Sequence, residues 1–321
     1  MKTYVVGEFD AGQTLEKYVK KVLPDAPLSV VYKLFRKKDV KVNGHWQDKK
    51  YVVSSGESIS IYLTDEQIED FKRKKLDLSN SLIKEWIVYE DKNIILINKP
   101  RGVLVQKAKD DDNALDQMVI SYLVEKGEYD PNINNGYVPA PAHRLDRNTE
   151  GIVIFGKNLK TLQYLSTVIT DKEKIEKKYL TLVKGDIDNE GEISKPLLKK
   201  QTHVEVDYKL GKEAITQYRK VKGVGEYSLV EVKLLTGRTH QIRVHFASIG
   251  HPVIGDSKYG DFKLNKEIEE KYNFKNQFLS AYKLSFKNLK APLDNLNGQT
   301  FEVKLSNELL DLLENLGDNK L

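Results

Sequence analysis

Two amphipathic helix patterns open the chain. Leu15, Val19 and Val22 recur at a spacing of three to four residues, which predicts one face of a helix that ends near Pro24. A second helix is predicted from about Ser29 to Lys38, where apolar residues again recur at helical spacing. The N-terminal stretch therefore predicts a pair of short helices.

A basic cluster lies on and just beyond the second helix. Its members are Lys33, Arg36, Lys37, Lys38 and Lys41. Val40, Val42 and the dipeptide Asn43-Gly44 then predict a strand that enters a tight turn, because Asn and Gly tolerate the positive φ of a type I′ hairpin. With an alternating segment at 58–62, this pattern predicts a small α/β domain over residues 1–64.

The rest of the chain divides into a charged stretch and a strand-rich region. Residues 65–83 are charged and have no clear period, so they are predicted to be a linker before a larger domain at 84–321. In that domain strands are predicted at 94–97, 151–156, 179–183, 214–221, 228–235 and 283–286, and helices at 114–126 and 159–170. Strands dominate without regular β-α alternation, which indicates an α+β fold with a mixed, mainly antiparallel sheet.

Length and composition favour two soluble domains. With 321 residues, of which 40% are hydrophobic, the chain is long enough for two domains of unequal size. It contains no cysteine, and its six histidines do not fall into a metal-ligand spacing, so we expect no metal. No apolar run approaches the roughly 18 residues of a membrane span, and Glu8 and Asp10 stand where a signal peptide is apolar. We therefore expect a cytoplasmic monomer with no membrane partner.

The distribution of charge says more than its total. The 52 Lys and Arg exceed the 47 Asp and Glu by five, a balance that many proteins without a polyanionic partner share. Residues 1–50, however, hold 11 Lys or Arg against 6 Asp or Glu. Taken alone, the basic cluster is as consistent with a solvated helix face as with a polyanion-binding surface.

One carboxylate stands between two arginines immediately before a predicted strand. Asp146 is flanked by Arg144 and Arg147 in the segment 141–151. Opposite charges within reach favour the ionised carboxylate, which is the form that a nucleophile needs at neutral pH. An aspartate among arginines is more often the centre of a structural ion-pair network, so the spacing leaves both interpretations open.

A second dense polar stretch, Thr236 to His245, follows the strand predicted at 228–235. Its many donors suit an anionic ligand or a buried carboxylate better than they suit a solvated edge strand. If the stretch is extended, Arg238 and Ile242 face one way and Arg243 faces the other.

These two segments resemble signature motifs of the RluA-type pseudouridine synthases. His143 to Gly151 matches HRLDR-x-T-x-G, and Gly237 to His245 matches GRTHQIRVH. Further matching segments, in family order, lie at 98–102, 177–185 and 250–260. The resemblance covers about residues 83–290 and implies a pseudouridine synthase catalytic domain.

The resemblance implies isomerisation of uridine to pseudouridine in RNA, a reaction that requires no cofactor and no metal. It assigns the nucleophile to Asp146, and to Tyr179 it assigns stacking on the target base and a share in removing the C5 proton. It assigns the partner of the carboxylate to Arg243, since an arginine fork suits that pairing, and Arg238 is the alternative. Whether Asp146 attacks base C6 or sugar C1′ stays open.

Other residues of the two motifs are implied to serve the RNA and the substrate pocket. Arg144 matches the family position that inserts beside the flipped base, where its planar guanidinium stacks on neighbouring bases. His143, Arg147, Ile242 and Arg238 are interpreted as residues that line or order the pocket.

Residues 1–64 resemble an S4 domain, an RNA-binding module, through the V-x-V-N-G turn at 40–44. This resemblance implies that the basic cluster binds RNA. The whole match is most similar to members that act on large-subunit (23S) ribosomal RNA or its assembly precursors. Three alternatives stay open: a synthase of the same family directed to transfer RNA, a non-catalytic ribosome- or RNA-binding protein, and a glycosidase-like hydrolase. The hydrolase requires a second carboxylate, for which residues 110–112 are the obvious acidic run.

Overall fold

A computed structural model describes residues 1–7, 10–23, 26–64, 67, 82–107, 114–130 and 137–317. The chain forms two compact units, Met1–Ile83 with Gln117–Pro139 and Lys84–Asp116 with Ala140–Leu321. This division places residues 117–139 in the first unit, whereas the sequence pattern places them in the larger domain. The predicted linker, apart from residues 67, 82 and 83, and the acidic run at 110–112 lie outside the described residues. None of the described helices is long and apolar enough to cross a membrane.

The N-terminal part of the first unit combines two helices with a small antiparallel sheet. Its elements are β1 (Lys2–Val5), α1 (Leu15–Val22), α2 (Leu28–Arg36), β2 (Val40–Val42), β3 (His45–Trp46) and β4 (Ser58–Ile61). The strand order is β1-β4-β2-β3. Side chains from both helices and from the sheet, among them Tyr18, Val31 and Ile59, form one buried core. The predicted helix-helix-strand order is therefore observed.

The turn between β2 and β3 has the geometry that the sequence predicts. Asn43 and Gly44 have φ values of 49° and 82°, both positive as a type I′ turn requires. The Asn43 backbone N–H donates to the Ser58 carbonyl at 2.8 Å, and the Asn43 side-chain oxygen accepts from the Ser58 N–H at 2.9 Å. These two bonds tie the turn to β4.

The second unit is built on a ten-stranded sheet and a separate two-stranded one. In chain order its strands are β5 (Ile87–Glu90), β6 (Ile94–Lys99), β7 (Ala140–Pro141), β8 (Glu150–Gly156), β9 (Ile175–Lys184), β10 (Glu190–Ser194), β11 (Leu197–Lys199), β12 (Val204–Val206), β13 (Ile215–Val224), β14 (Tyr227–Leu234), β15 (Leu279–Phe286) and β16 (Thr300–Glu302). The large sheet has the order β10-β13-β14-β9-β15-β8-β6-β5, with β16 beside β15 and β7 beside β8. Within the described strands, β15 and β8 are parallel and the other pairs are antiparallel. The predicted mixed, mainly antiparallel sheet is confirmed.

The described helices from residue 83 onward are α3 (Ile83–Trp86), α4 (Leu115–Glu125), α5 (Leu159–Val168), α6 (Gln241–Ser248), α7 (Phe262–Tyr272) and α8 (Asn307–Gly317). The sequence pattern predicts α4 and α5 to within two residues. It misses α8, although Leu309, Leu312, Leu313 and Leu316 are buried at clear helical spacing. It also misses α7, whose surface is mostly charged and exposed.

Strand β8 is an inner strand of the large sheet, between β15 and β6, and all of its residues are buried. It approaches β15 closely at Gly151, which pairs with Ala281 and has a φ of 114°. A Cβ at this position would lie 2.3 Å from the Ala281 carbonyl oxygen, so only glycine allows the two strands to pair. The loop that precedes β8 is therefore anchored to a rigid strand.

Candidate active site

Asp146 lies in the loop between β7 and β8, and a buried lysine holds this loop. The fully buried ammonium of Lys99 donates to the carbonyls of Pro100, Val103 and Arg147, each at 2.9 Å. An ammonium has three N–H donors, so all of them are used. Burial lowers the pKa of Lys99 to about 7, with the negative charge of Asp146 acting in the opposite direction. Lys99 thus connects the end of β6 to the peptide next to Asp146.

The segment after β14 is a turn followed by a helix, so residues 236–245 do not form the extended stretch on which the alternation argument depended. His240 adopts the left-handed conformation, with φ 54° and ψ 18°, and α6 starts at the next residue. Gln241 to Phe246 are all buried. A helix buried on all sides has no polar face, and this is why the sequence shows no helical period. The alternation that placed Arg238 and Ile242 on one face and Arg243 on the other therefore does not apply.

Arg243, on the first turn of α6, joins two carboxylates. Its Nη1 donates to Asp146 Oδ2 at 2.8 Å. Its Nε and Nη2 donate to the two oxygens of Asp256 at 2.7 and 2.8 Å. Burial alone would lower the pKa of Arg243, but Asp256 and Asp146 raise it above its usual value. The forked pairing with Asp256 fixes the guanidinium plane, and the remaining nitrogen is then directed at Asp146.

Asp256 is itself held in place. Its side chain is 1% exposed, and its Oδ1 accepts from the backbone N–H groups of Lys258 and Tyr259 at 2.8 and 3.1 Å. Burial would raise the pKa of Asp256, but the bonds from Arg243 and from the backbone lower it below its usual value. The carboxylate is therefore charged and fixed at neutral pH.

His240 faces the other oxygen of Asp146. Its Nε2 lies 3.8 Å from Asp146 Oδ1, and its Nδ1 forms a 2.7 Å hydrogen bond with the Tyr259 hydroxyl. That hydroxyl accepts from the Val204 N–H at 2.9 Å. Burial lowers the pKa of His240, with Asp146 acting in the opposite direction, so the imidazole is neutral at pH 7. Asp146 thus has one oxygen on Arg243 and one next to a neutral imidazole.

Tyr179 is buried on β9. Burial and the nearby charge of Asp146 raise the pKa of its phenol. The structure therefore brings the predicted Asp146, Tyr179 and Arg243 into one region, with a phenol that stays protonated at neutral pH.

The other predicted residues of these motifs differ in where they lie. Arg144 and Arg147 are exposed on the Asp146 loop. Ile242 is buried in α6. Arg238 is exposed, and its Nε donates to the Glu213 carbonyl at 2.9 Å. The arginine that contacts Asp146 is therefore Arg243 and not the alternative, Arg238.

His143 serves the local structure of the loop. Its Nε2 accepts from the Ile154 N–H at 3.3 Å. Burial, together with the positive charges of Lys177 and Lys172, lowers its pKa well below the usual value. The imidazole is therefore neutral and fixes the loop against β8.

Sequence reasoning missed three members of the site, His240, Tyr259 and Asp256. All three lie within the segments 237–245 and 250–260, which resemble family motifs, and this position was the signal that could have identified them. The contact of His240 with Asp146 joins distant parts of the chain. The contacts of Asp256 with Arg243 and of Tyr259 with His240 span 13 and 19 positions and follow no regular period, so spacing could not assign them.

Comparisons with known proteins identify the family of the chain. The sequence profile of the RNA pseudouridylate synthase family matches residues 93–248. The chain is 32% identical over 303 residues to an RNA pseudouridine synthase of Mycoplasma capricolum, covering 93% of this chain and 96% of that one. It is 33% identical over 283 residues to ribosomal large subunit pseudouridine synthase C of Buchnera aphidicola, covering 85% of each. It is 32% identical over 262 residues to ribosomal large subunit pseudouridine synthase D of Escherichia coli, covering 80% of this chain and 76% of that one.

A solved structure, human RNA pseudouridylate synthase domain containing 4, shares the fold. Its TM-score is 0.58 at 20% identity, and the match covers 73% of this chain and 94% of that one. The chain belongs to the RNA pseudouridine synthase family and is an isomerase that acts on uridine in RNA.

Proposed function

We propose that this synthase modifies uridines of large-subunit (23S) ribosomal RNA, or of its assembly precursors, with Asp146 as the nucleophile. The observation that carries the proposal is the fixed carboxylate: Arg243 holds Oδ2 at 2.8 Å, and Oδ1 faces His240 at 3.8 Å. A carboxylate held by one oxygen is oriented for attack by the other. The ribosomal RNA assignment rests on the names of the relatives from Buchnera and Escherichia coli.

The reaction is a balanced isomerisation. The N1–C1′ bond breaks, the C5–C1′ bond forms, C5 loses a proton and N1 gains one. No electron is transferred. The carboxylate of Asp146 adds either to base C6 or to sugar C1′, and the pocket must hold the detached uracil while it turns.

The two neutral groups of the site receive different roles. Tyr179 is assigned stacking on the target uracil, the role that its motif implies, and its raised pKa leaves no phenolate to accept a proton at neutral pH. We assign proton transfer to His240, whose lowered pKa leaves a neutral imidazole beside Asp146. This assignment moves the proposed removal of the C5 proton away from Tyr179.

Two exposed regions are proposed to handle the RNA. Arg144, on the Asp146 loop, inserts beside the flipped base and stacks on its neighbours. The first unit is proposed to act as an S4-type RNA-binding domain. The four members of the basic cluster before Lys41 are exposed, so they are accessible to phosphates.

RNA tritiated at uridine C5 tests the function and the nucleophile together. We expect tritium release by the wild-type protein and none by Asp146→Asn, which removes the charge and keeps the size. A hydrolase would free uracil. A protein that only binds RNA would release neither tritium nor uracil. Near-normal turnover by folded Asp146→Asn would exclude Asp146 as the nucleophile. Mapping pseudouridines in cells with and without the gene identifies the RNA.

A further inference from the structure

The outer face of the sheet in the first unit presents two aromatic rings to solvent. In the sheet register, Lys41 on β2 lies opposite Trp46 on β3 and Ser60 on β4. Val42, the strand neighbour of Lys41, points into the core, so this row points away from it. Trp46 and Tyr62, the latter just after β4, are 45% and 41% exposed.

Each of these rings has an ammonium beside it. Lys38 Nζ lies 5.2 Å from the centre of the Trp46 ring, and Lys41 Nζ lies 4.9 Å from the centre of the Tyr62 ring. The core of the unit is complete without either ring, because a separate set of side chains fills it. Single exposed aromatics are common on protein surfaces, but these two share one face of the sheet and each has an ammonium beside it, a combination that suits single-stranded nucleic acid.

We propose that Trp46 and Tyr62 form a stacking platform for unpaired RNA bases, with Lys38 and Lys41 as adjacent phosphate contacts. The proposal rests on the proposed RNA-binding role of this unit. A paired base offers only its edge to a protein, whereas an unpaired base offers its ring face. The lysines add the positive charge that a phosphate backbone requires. When an RNA base stacks on one of these rings, the lysine ammonium beside that ring can move to the adjacent phosphate.

The platform, which includes Lys38 and Lys41 of the basic cluster, differs from the remaining members, Lys33, Arg36 and Lys37, in what it selects. Ammonium groups alone bind any phosphate backbone, single-stranded or double-stranded. Aromatic rings add a preference for single-stranded segments, such as the loops of a folded RNA. The platform therefore directs the first unit to unpaired regions.

Tryptophan fluorescence tests the stacking directly, because Trp46 and Trp86 are the two tryptophans of the chain. In a Trp86→Phe variant Trp46 is the only source of the signal. We expect saturable quenching by an oligouridylate of roughly ten nucleotides, a typical length for such sites. An abasic strand of the same length, or the same strand in a duplex, should quench much less. Equal quenching by all three ligands would overturn the proposal.

Binding measurements provide the second test. Trp46→Ala and Tyr62→Ala should each weaken binding of the oligouridylate by roughly fivefold to a hundredfold, with little change in the salt dependence. Lys38→Ala and Lys41→Ala should make the slope of log affinity against log salt shallower by roughly 0.7 per residue. Tyr208→Ala is the matched control, since Tyr208 is 75% exposed in the second unit, and it should bind like wild type.

The outcomes separate the platform from the proposed function. If wild-type protein releases tritium from RNA but Trp46→Ala and Tyr62→Ala bind as tightly as Tyr208→Ala, the platform is wrong and the synthase assignment stands. If wild type itself forms no pseudouridine, the proposed function fails. Trp46→Phe keeps a ring, so recovered affinity in that variant shows that stacking, and not an altered fold, caused the loss.

Discussion

The charges around Asp146 and those of the basic cluster on α2 are held in opposite ways. Arg243 has a side chain that is 8% exposed, and each of its three nitrogens contacts a carboxylate oxygen. Lys33, Arg36 and Lys37 are exposed on a helix surface. The first arrangement gives a fixed geometry, and the second gives mobile, solvated charge.

This difference fits the roles proposed for the two regions. A reaction requires atoms within a fraction of an ångström of their productive positions, which only a buried and fully bonded network provides. Holding a polyanion requires charge near phosphates, and counterion release makes each contact roughly independent. Changes in the first region should therefore have large, non-additive effects, and changes in the second should have small, additive ones.

The largest effect is expected for Arg243→Ala. It removes the partner of Asp146 and leaves Asp256 buried without its counter-charge, and breaking a buried pair in this way costs about 3–5 kcal/mol. We expect the single-turnover rate to fall by at least about a hundredfold. Arg243→Lys should recover little, because lysine lacks the fork. Arg238→Ala is the control, and an equal loss in both variants would remove the Asp146–Arg243 pairing from the mechanism.

A buried and an exposed lysine should differ in their effect on pH-dependent stability. Folded Lys99 has a pKa of about 7 against an ordinary value of 10.5, so between these values the unfolded chain binds more protons. The free energy of unfolding should then rise with pH by up to about 1.4 kcal/mol per unit from this group. Lys99→Met should remove this rise, whereas Lys37→Met should not. Urea unfolding at several pH values between 7 and 10 measures the free energy of unfolding of both variants. An equal change of this free energy with pH in Lys99→Met and Lys37→Met would contradict the prediction.

Asp256→Asn should weaken the same network by less than Arg243→Ala. The amide keeps the size of the carboxylate but cannot hold both nitrogens of the fork, so Arg243 is less well directed at Asp146. We expect kcat to fall by about tenfold with little change in KM, since a lost alignment acts on the transition state. Asp261→Asn is the matched control, because Asp261 caps α7 at the surface and asparagine caps as well. Similar losses for both substitutions would mean that Asp256 does not position Arg243.

The effect expected for Arg144 is intermediate between those of the buried network and the basic cluster, since Arg144 is an exposed cation on the Asp146 loop. If it holds the flipped state, Arg144→Ala should slow modification of a structured RNA roughly threefold to tenfold more than that of an unstructured oligonucleotide. Extrusion of a base costs a few kcal/mol only where the base is stacked. The ratio of single-turnover rates on the two RNAs measures the effect. Equal losses on both RNAs would assign Arg144 to ordering the loop.

The smallest effects are expected for single substitutions in the basic cluster. Lys33→Ala, Arg36→Ala or Lys37→Ala should each weaken RNA binding a few-fold and make the salt slope shallower by roughly 0.7 to 0.9. The combined variant should show the sum of the single changes, with the saturated rate largely retained. Unchanged affinity and salt slope in the combined variant would contradict an RNA-binding role for the cluster.

The six long strands β6, β8, β9, β13, β14 and β15 were predictable because their apolar runs are local, whereas the short strands β5, β7, β10, β11, β12 and β16 were not predicted. Ile94 to Ile97 and Gly151 to Gly156 appear as strands where the sequence places them. The turn into α6 was not predictable, since His240 adopts a left-handed conformation that its local sequence does not require. The bond between Arg243 and Asp146 joins residues 97 positions apart, so only the family resemblance indicated it. His240 was missed for the same reason, whereas Asp256 was missed although Arg243 lies only 13 positions before it, because no local pattern marks that pairing.

The position of β15 late in the chain determines when the site can form during synthesis. Asp146 precedes β8 and Tyr179 lies on β9, and these two strands are joined through β15, which pairs with both. The ribosome releases the N-terminus of a chain first, so both halves of the site emerge before the strand that connects them. A nascent chain that ends before Leu279 lacks this link, and we expect it to be inactive. Residues 1–83 of the first unit have by then already left the ribosome, so the part proposed to bind RNA emerges before the sheet that carries the site can be completed.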